Sequence, residues 1–120
     1  MKVKAKMEVH DHLLDEFDNQ GLEPNKEYEV IGMSYDHYRI IDDYGEPILY
    51  PKYLFDVTDS TIPKYWTRKD YTEDEYYLDP PELNEPGFYE DYFDEKPEAK
   101  ATFEKFLVAH GLKVEPTKTR

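Results

Sequence analysis

The chain contains no cysteine. Disulfides, thiolate zinc sites and cysteine nucleophiles are therefore excluded, and with them a secreted disulfide scaffold. Glycine is almost as scarce: Gly21, Gly32, Gly45, Gly87 and Gly111 stand alone, so no glycine-rich loop exists to cradle a phosphate. Long apolar runs are missing too. No stretch approaches the roughly 20 residues that a membrane-spanning helix needs, and Met1 to Val9 alternates lysine with apolar residues, which is not a signal-peptide pattern. The expected location is the cytoplasm. Basic residues are lacking in one window above all: between Asp70 and Glu98, Lys96 is the single base against twelve acids.

That window accounts for most of the net charge of -13. So much negative charge argues against nucleic acid as a direct ligand and points to a basic protein partner; with no apolar span, no membrane partner is expected either. An acidic block of this kind ordinarily reads as a solvated tail. Here it is interleaved with Tyr71, Tyr76, Tyr77, Phe88, Tyr89, Tyr92 and Phe93, rings that supply contact area a tail does not need. The block therefore reads as an ordered or orderable surface. A chain of 120 residues has room for one domain with one core. Its mean hydropathy of -0.94 is low, and an aromatic fraction of 16% compensates, because each buried ring removes roughly 150–250 Å² from water.

Strict alternation from Lys2 to Val9 predicts a half-buried strand, with Val3, Ala5, Met7 and Val9 on one face. Leu13, Leu14 and Phe17 are spaced as a short amphipathic turn within 10–19. Glu27 to Met33 predicts a second strand, with Tyr28 and Val30 on one face and Ile31 and Met33 on the other. A third follows over His37 to Ile41, a turn over Asp42 to Gly45 with glycine where a positive φ is needed, and a fourth strand over Pro47 to Tyr50. Pro51 to Leu54 predicts one helical turn, Phe55 to Val57 a fifth strand, and Ile62 to Thr67 a sixth around Trp66. From Arg68 to Asp94 neither period 2 nor period 3.6 is sustained, and Pro80, Pro81 and Pro86 interrupt the chain, so an extended segment is expected. Pro97 opens a helix in which Ala99, Phe103, Phe106, Leu107 and His110 share a face and Gly111 caps the end. Thr117 to Arg120 should fray.

The short strands Tyr28-Glu29-Val30-Ile31-Gly32, Tyr38-Arg39-Ile40-Ile41-Asp42-Asp43, Leu49-Tyr50-Pro51 and Leu54-Phe55-Asp56-Val57, with Gly45-Glu46-Pro47 at a turn, resemble small bacterial SH3-like barrel proteins. The resemblance covers roughly Tyr28 to Asp59. Some small acidic proteins of that kind are immunity partners of secreted toxins, and this is what the resemblance implies here. It carries no catalytic signature. The expected fold is mainly β with a C-terminal helix (α+β), a single domain over 1–120. Within it, 1–68 form an SH3-like small barrel, 69–95 an acidic Tyr/Pro-rich wrap, 96–112 the helix and 113–120 a frayed tail.

Two constellations carry a functional reading beside a structural one. In Glu82 to Asp94 rings alternate with carboxylates: either the rings anchor in a partner whose Lys and Arg meet the acids, or Phe88, Tyr92 and Phe93 pack inward and leave the acids solvated. Asp70 to Tyr77 is a second such cluster, readable as phosphate mimicry toward a nuclease or as a solvated linker. The expected partner-binding residues are Asp74, Glu75, Tyr76, Tyr77, Glu82, Glu85, Tyr89, Glu90, Asp91, Tyr92 and Asp94. His10 and His12 would share one face of a strand, yet third and fourth ligands at metal spacing are missing. Glu73, Asp74 and Glu75 lack the spacing of a calcium loop. None of the four histidines sits in a nucleophile motif, so no enzyme and no cofactor is expected. Trp66, with Tyr28, Tyr38 and Tyr50, reads either as an aromatic groove for a proline-rich peptide or as core. The lysines of the first strand oppose edge pairing, so a monomer or weak homodimer is expected. An acidic inhibitor or immunity protein, a peptide adaptor and a DNA mimic are the readings that remain.

Overall fold

The computed structural model describes residues 1–7, 21–73 and 75–119. Among the described residues, seven antiparallel strands form one sheet, and two α-helices follow them: β1 (Lys2–Ala5), β2 (Glu27–Ser34), β3 (His37–Ile41), β4 (Pro47–Pro51), β5 (Phe55–Asp59), β6 (Thr67–Asp70), β7 (Tyr76–Asp79), α1 (Phe88–Phe93) and α2 (Pro97–Ala109). Single 3-10 turns lie over Lys52–Leu54 and Pro81–Leu83. The main order is β4-β3-β2-β1-β5, and β7 takes up the part of the β2 edge beyond β1, with β6 outside it. Among the described residues no ladder joins β4 to β5, so the sheet is not closed. The mainly-β architecture with a C-terminal helix matches the sequence expectation.

Alternation fixes β1: Val3 and Ala5 are buried, while Lys2 and Lys4 stay at the surface. Its ladder ends at Ala5 rather than Val9. Glu8 and Val9, and the amphipathic turn expected within 10–19, lie outside the described residues. The β3–β4 connection turns on Asp42, whose Oδ1 accepts from the N–H groups of Tyr44 and Glu46 at 3.0 and 3.2 Å. Gly45 takes φ 75 there, as expected of the glycine in that turn.

The middle of β2 departs from simple alternation. Val30 pairs with Ile40 but Gly32 pairs with Arg39, so Ile31 is an extra residue, a β-bulge. Met33 consequently returns to the face of Tyr28 and Val30, and Ile31 alone turns to the other side; the expected pairing of Ile31 with Met33 on one face is corrected. Two cores result. The first holds Val3, Tyr28, Val30, Met33, Tyr38, Ile40, Tyr50, Leu54, Phe55 and Trp66. The second joins Ile31 to Leu83, Phe88, Tyr92, Ala99, Phe103 and Phe106 from the helical part of the chain.

The stretch expected to be extended is regular instead. A β6–β7 hairpin, a 3-10 turn and α1 occupy it, and the strand expected over Ile62 to Thr67 begins only at Thr67. β6 showed no alternation because it buries no face: each of its residues is exposed, while β7 is only half-buried, with Leu78 against the first core. In α1 only Phe88 and Tyr92, four residues apart, are buried, too few to set a helical period. Both helices end in the same hydrogen-bonded cap. Leu112 N–H donates to Leu107 O across left-handed Gly111, and Lys96 N–H donates to Asp91 O across Glu95 at φ 63. Glu95 carries a Cβ where glycine is favoured. Glu95→Gly is expected to raise stability by about 0.5–1 kcal/mol, read as a higher midpoint in urea; an unchanged or lower midpoint would show that the cap holds no strain.

The tail expected to fray is tied down at two residues. Thr117 and Lys118 N–H groups donate to Asp43 O at 2.8 and 3.0 Å, and Lys118 Nζ lies 2.8 Å from Glu23.

Candidate functional site

The acidic segment is held against the sheet by a short polar stitch. Asn84 Nδ2 donates to Thr67 Oγ1 at 2.9 Å, Thr67 Oγ1 donates to Asp79 O at 3.2 Å, and Lys69 Nζ donates to Asn84 O at 3.3 Å. These contacts set the 3-10 turn, and the helix α1 that follows it, beside the hairpin. Tyrosines crowd the outer side of the hairpin. Tyr71, 64% exposed, meets Tyr77 edge-on at 5.6 Å, and Tyr35, 63% exposed, meets Tyr76 edge-on at 6.5 Å. The Arg68 guanidinium lies 4.5 Å from the Tyr76 ring centre.

A cavity of about 270 Å³ opens between the hairpin, the β2–β3 sheet and α1. Its polar lining forms a row across three strands. Gly32 sits between Arg39 of β3 and Asp79 of β7, and a Cβ at position 32 would lie 2.5 Å from Asp79 Oδ1. Glycine lets the carboxylate keep this position; a Cβ there would make the Asp79 side chain shift. Arg39 Nη1 donates to Pro47 O at 2.9 Å, and its guanidinium carbon lies over the Tyr89 ring, 3.6 Å from the ring centre. Tyr89 carries a buried hydroxyl that makes no hydrogen bond. Burial pushes the Tyr89 phenol up and pulls the Arg39 guanidinium down from their ordinary values. Burial also raises the Asp79 carboxyl, against the opposing pull of Arg39 and Lys69.

The residues predicted to bind a partner are brought together only in part. Glu75, Glu85, Glu90 and Asp94 are exposed. Glu82 is engaged by His110, whose Nε2 lies 2.7 Å from Oε2; the hydrogen bond holds the Glu82 carboxyl below its usual range. His110 is itself stacked on Tyr65 at 3.9 Å. Asp91 pairs with Lys96 at 2.9 Å. Tyr76 and Tyr77 stand on the hairpin, whereas Tyr89 lies against Arg39 and Tyr92 is only 5% exposed, with Lys100 Nζ 3.9 Å from its ring centre. Burial pushes the Tyr92 phenol up to about 12. Asp74 lies outside the described residues, as do His10 and His12. Phe88 and Tyr92 pack inward, while Phe93 is 41% exposed.

Tyr28, Tyr38, Tyr50 and Trp66 are between 2% and 7% exposed and belong to the first core, which withdraws them from any surface groove. Among the described residues, no group of three or more His, Asp or Glu is placed to hold a metal. No described helix is long and apolar enough to cross a membrane. Sequence reasoning missed Tyr35, Arg39 and Asp79. The sign that pointed to the last two was Gly32, an isolated glycine inside a strand, which marks a close approach. Compared with protein-family models, curated proteins and solved structures, the chain matches none.

Proposed function

We propose that this chain is a non-enzymatic, cytoplasmic acidic binding module that seats on a basic protein, and that it serves as an immunity or inhibitor protein of a basic effector such as a nuclease toxin. The observation that carries this reading is the pairing of exposed rings with unneutralised acids. Tyr71 and Tyr77 of the hairpin segment and Tyr35 of the β2–β3 turn are exposed, Glu75, Glu85 and Glu90 line the same surface, and among the described residues no basic side chain is bonded to these three carboxylates or to the exposed Glu73. Rings supply rigid contact area at small entropic cost, and like charges at one face steer a cationic partner into place. The strand order β4-β3-β2-β1-β5, with a helical turn between β4 and β5, supports an SH3-like small barrel as the platform. The effector class follows from the family resemblance alone.

The test begins with capture from the native host, identification of the partner and stopped-flow association at several salt concentrations. Reversing Glu85 and Glu90 to lysine is expected to slow association at least tenfold at low salt and to flatten its salt dependence. Unchanged kinetics in the authentic complex would remove this face from the interface. Binding to short peptides without a folded partner would favour an adaptor instead.

A further inference from the structure

We propose that the cavity beneath the tyrosine face receives one basic side chain of the partner, a lysine or arginine, with Asp79 as its counter-ion. This rests on the binding function argued above and adds the point of insertion. The cavity, of about 270 Å³, is just below the size of typical small-molecule pockets and has room for a single long side chain.

The argument turns on which polar groups in the cavity already have partners. Both cations there are held by acceptors of the protein: Arg39 by Pro47 O and the Tyr89 ring, Lys69 by Asn84 O. The Asp79 carboxylate has no such partner. It accepts no hydrogen bond from a described residue and closes no ion pair, and Arg39 and Lys69 reach it only through space. A half-buried carboxylate left in this state raises the free energy of the folded protein. A donor entering the cavity would complete the partial hydration of this carboxylate, and a charged donor would do so most fully. Tyr89, whose buried hydroxyl makes no hydrogen bond, lines the same cavity.

Charge at the opening selects the same sign. Glu85 and Glu90 line the cavity and are exposed, in a chain of net charge -13, so an anion must approach against the field while a cation is drawn in. Tyr71 and Tyr77 line the cavity as well and offer ring faces to the incoming ammonium or guanidinium. The same fold already sets Arg39 on Tyr89 and Arg68 on Tyr76.

The test uses the full chain and four blocked amino acids followed by two-dimensional NMR: N-acetyl-arginine amide, N-acetyl-lysine amide, N-acetyl-citrulline amide and N-acetyl-glutamate amide. The arginine or the lysine probe is expected to move the signals of Asp79, Tyr77 and Tyr89 saturably and to lower the Asp79 carboxyl pKa. The neutral citrulline probe should leave them in place. Asp79→Asn is expected to fold, with a thermal midpoint equal to or above that of the parent, and to weaken the probe at least tenfold. Its stability should also lose a pH dependence: an Asp79 pKa raised in the folded state makes the parent more stable as pH falls from that raised value toward the ordinary one, and the asparagine variant lacks the term. Saturable binding of the glutamate probe instead, or no saturable shift with either cation, overturns the inference. So does an Asp79→Asn variant whose affinity for the authentic partner is unchanged; if the lysine reversals at Glu85 and Glu90 still slow that association, the binding function stands and the insertion alone fails.

Discussion

Phe106→Ala is expected to lose about 3–5 kcal/mol of stability, which is a large share of the roughly 5–15 kcal/mol typical of a folded domain. Phe106 is 1% exposed and is the centre of the second core. Its ring touches Tyr65 edge-on at 6.5 Å, Phe103 at 6.2 Å and His110 at 4.9 Å, so truncation opens a cavity bounded by other rings that cannot close over it. The loss falls unevenly. Among the described residues, the sheet contributes only Ile31 and Ile41 to this cluster, and the helical part of the chain contributes most of the rest. Amide exchange in α1 and α2 should therefore speed up more than exchange in β2 and β3, and urea unfolding followed by circular dichroism should show the lower midpoint. A loss under 1 kcal/mol would mean that the helices are not held by this core.

Asp43→Ala is expected to cost about 3–5 kcal/mol. The Asp43 side chain is fully buried between two lysines, with Lys26 Nζ at 2.5 Å and Lys118 Nζ at 3.4 Å. Tyr28 donates its hydroxyl to the same carboxylate at 3.0 Å, while accepting from Glu23 N–H at 2.7 Å. Removing the carboxylate leaves a buried phenol without its acceptor, and the two lysines keep enough exposure to rehydrate, so the lower end of the range is the better expectation. The change also bears on the chain end. Lys118 holds Asp43 and Glu23 at once, and its loss of one anchor should raise exchange at the Thr117 and Lys118 amides, whose bonds to Asp43 O otherwise protect them. An exchange rate unchanged at those two amides would show that the backbone bonds alone fasten the tail.

The parts of the fold that could be read from the sequence are those with a buried face. β3 was expected at its observed bounds, and β2, β4 and the turn around Gly45 lay within a residue of theirs, because apolar alternation and a glycine at positive φ leave a local record. Pro97 and Gly111 framed α2 for the same reason. The hairpin of β6 and β7 left none, since Thr67, Arg68, Lys69 and Asp70 all face water and their strand character comes from pairing with Tyr76 to Asp79. The bulge at Ile31 was equally hidden, being a property of two strands together. In the candidate site, the exposure of Glu85 and Glu90 could be read from composition. The row of Arg39, Gly32 and Asp79 could not, because it joins residues of three strands that only the register brings side by side.

The extra residue at Ile31 also protects the chain from threading errors. Upstream of it β2 gives Tyr28 and Val30 to one core; at it the strand serves the other, and downstream Met33 serves the first again. A slip by a single position would misplace both halves simultaneously, driving Glu29 inward and Tyr28 into water. Neither hydrophobic centre can be assembled out of step with its counterpart, so this one irregularity acts as a proofreading key for the whole sandwich of sheet and helices.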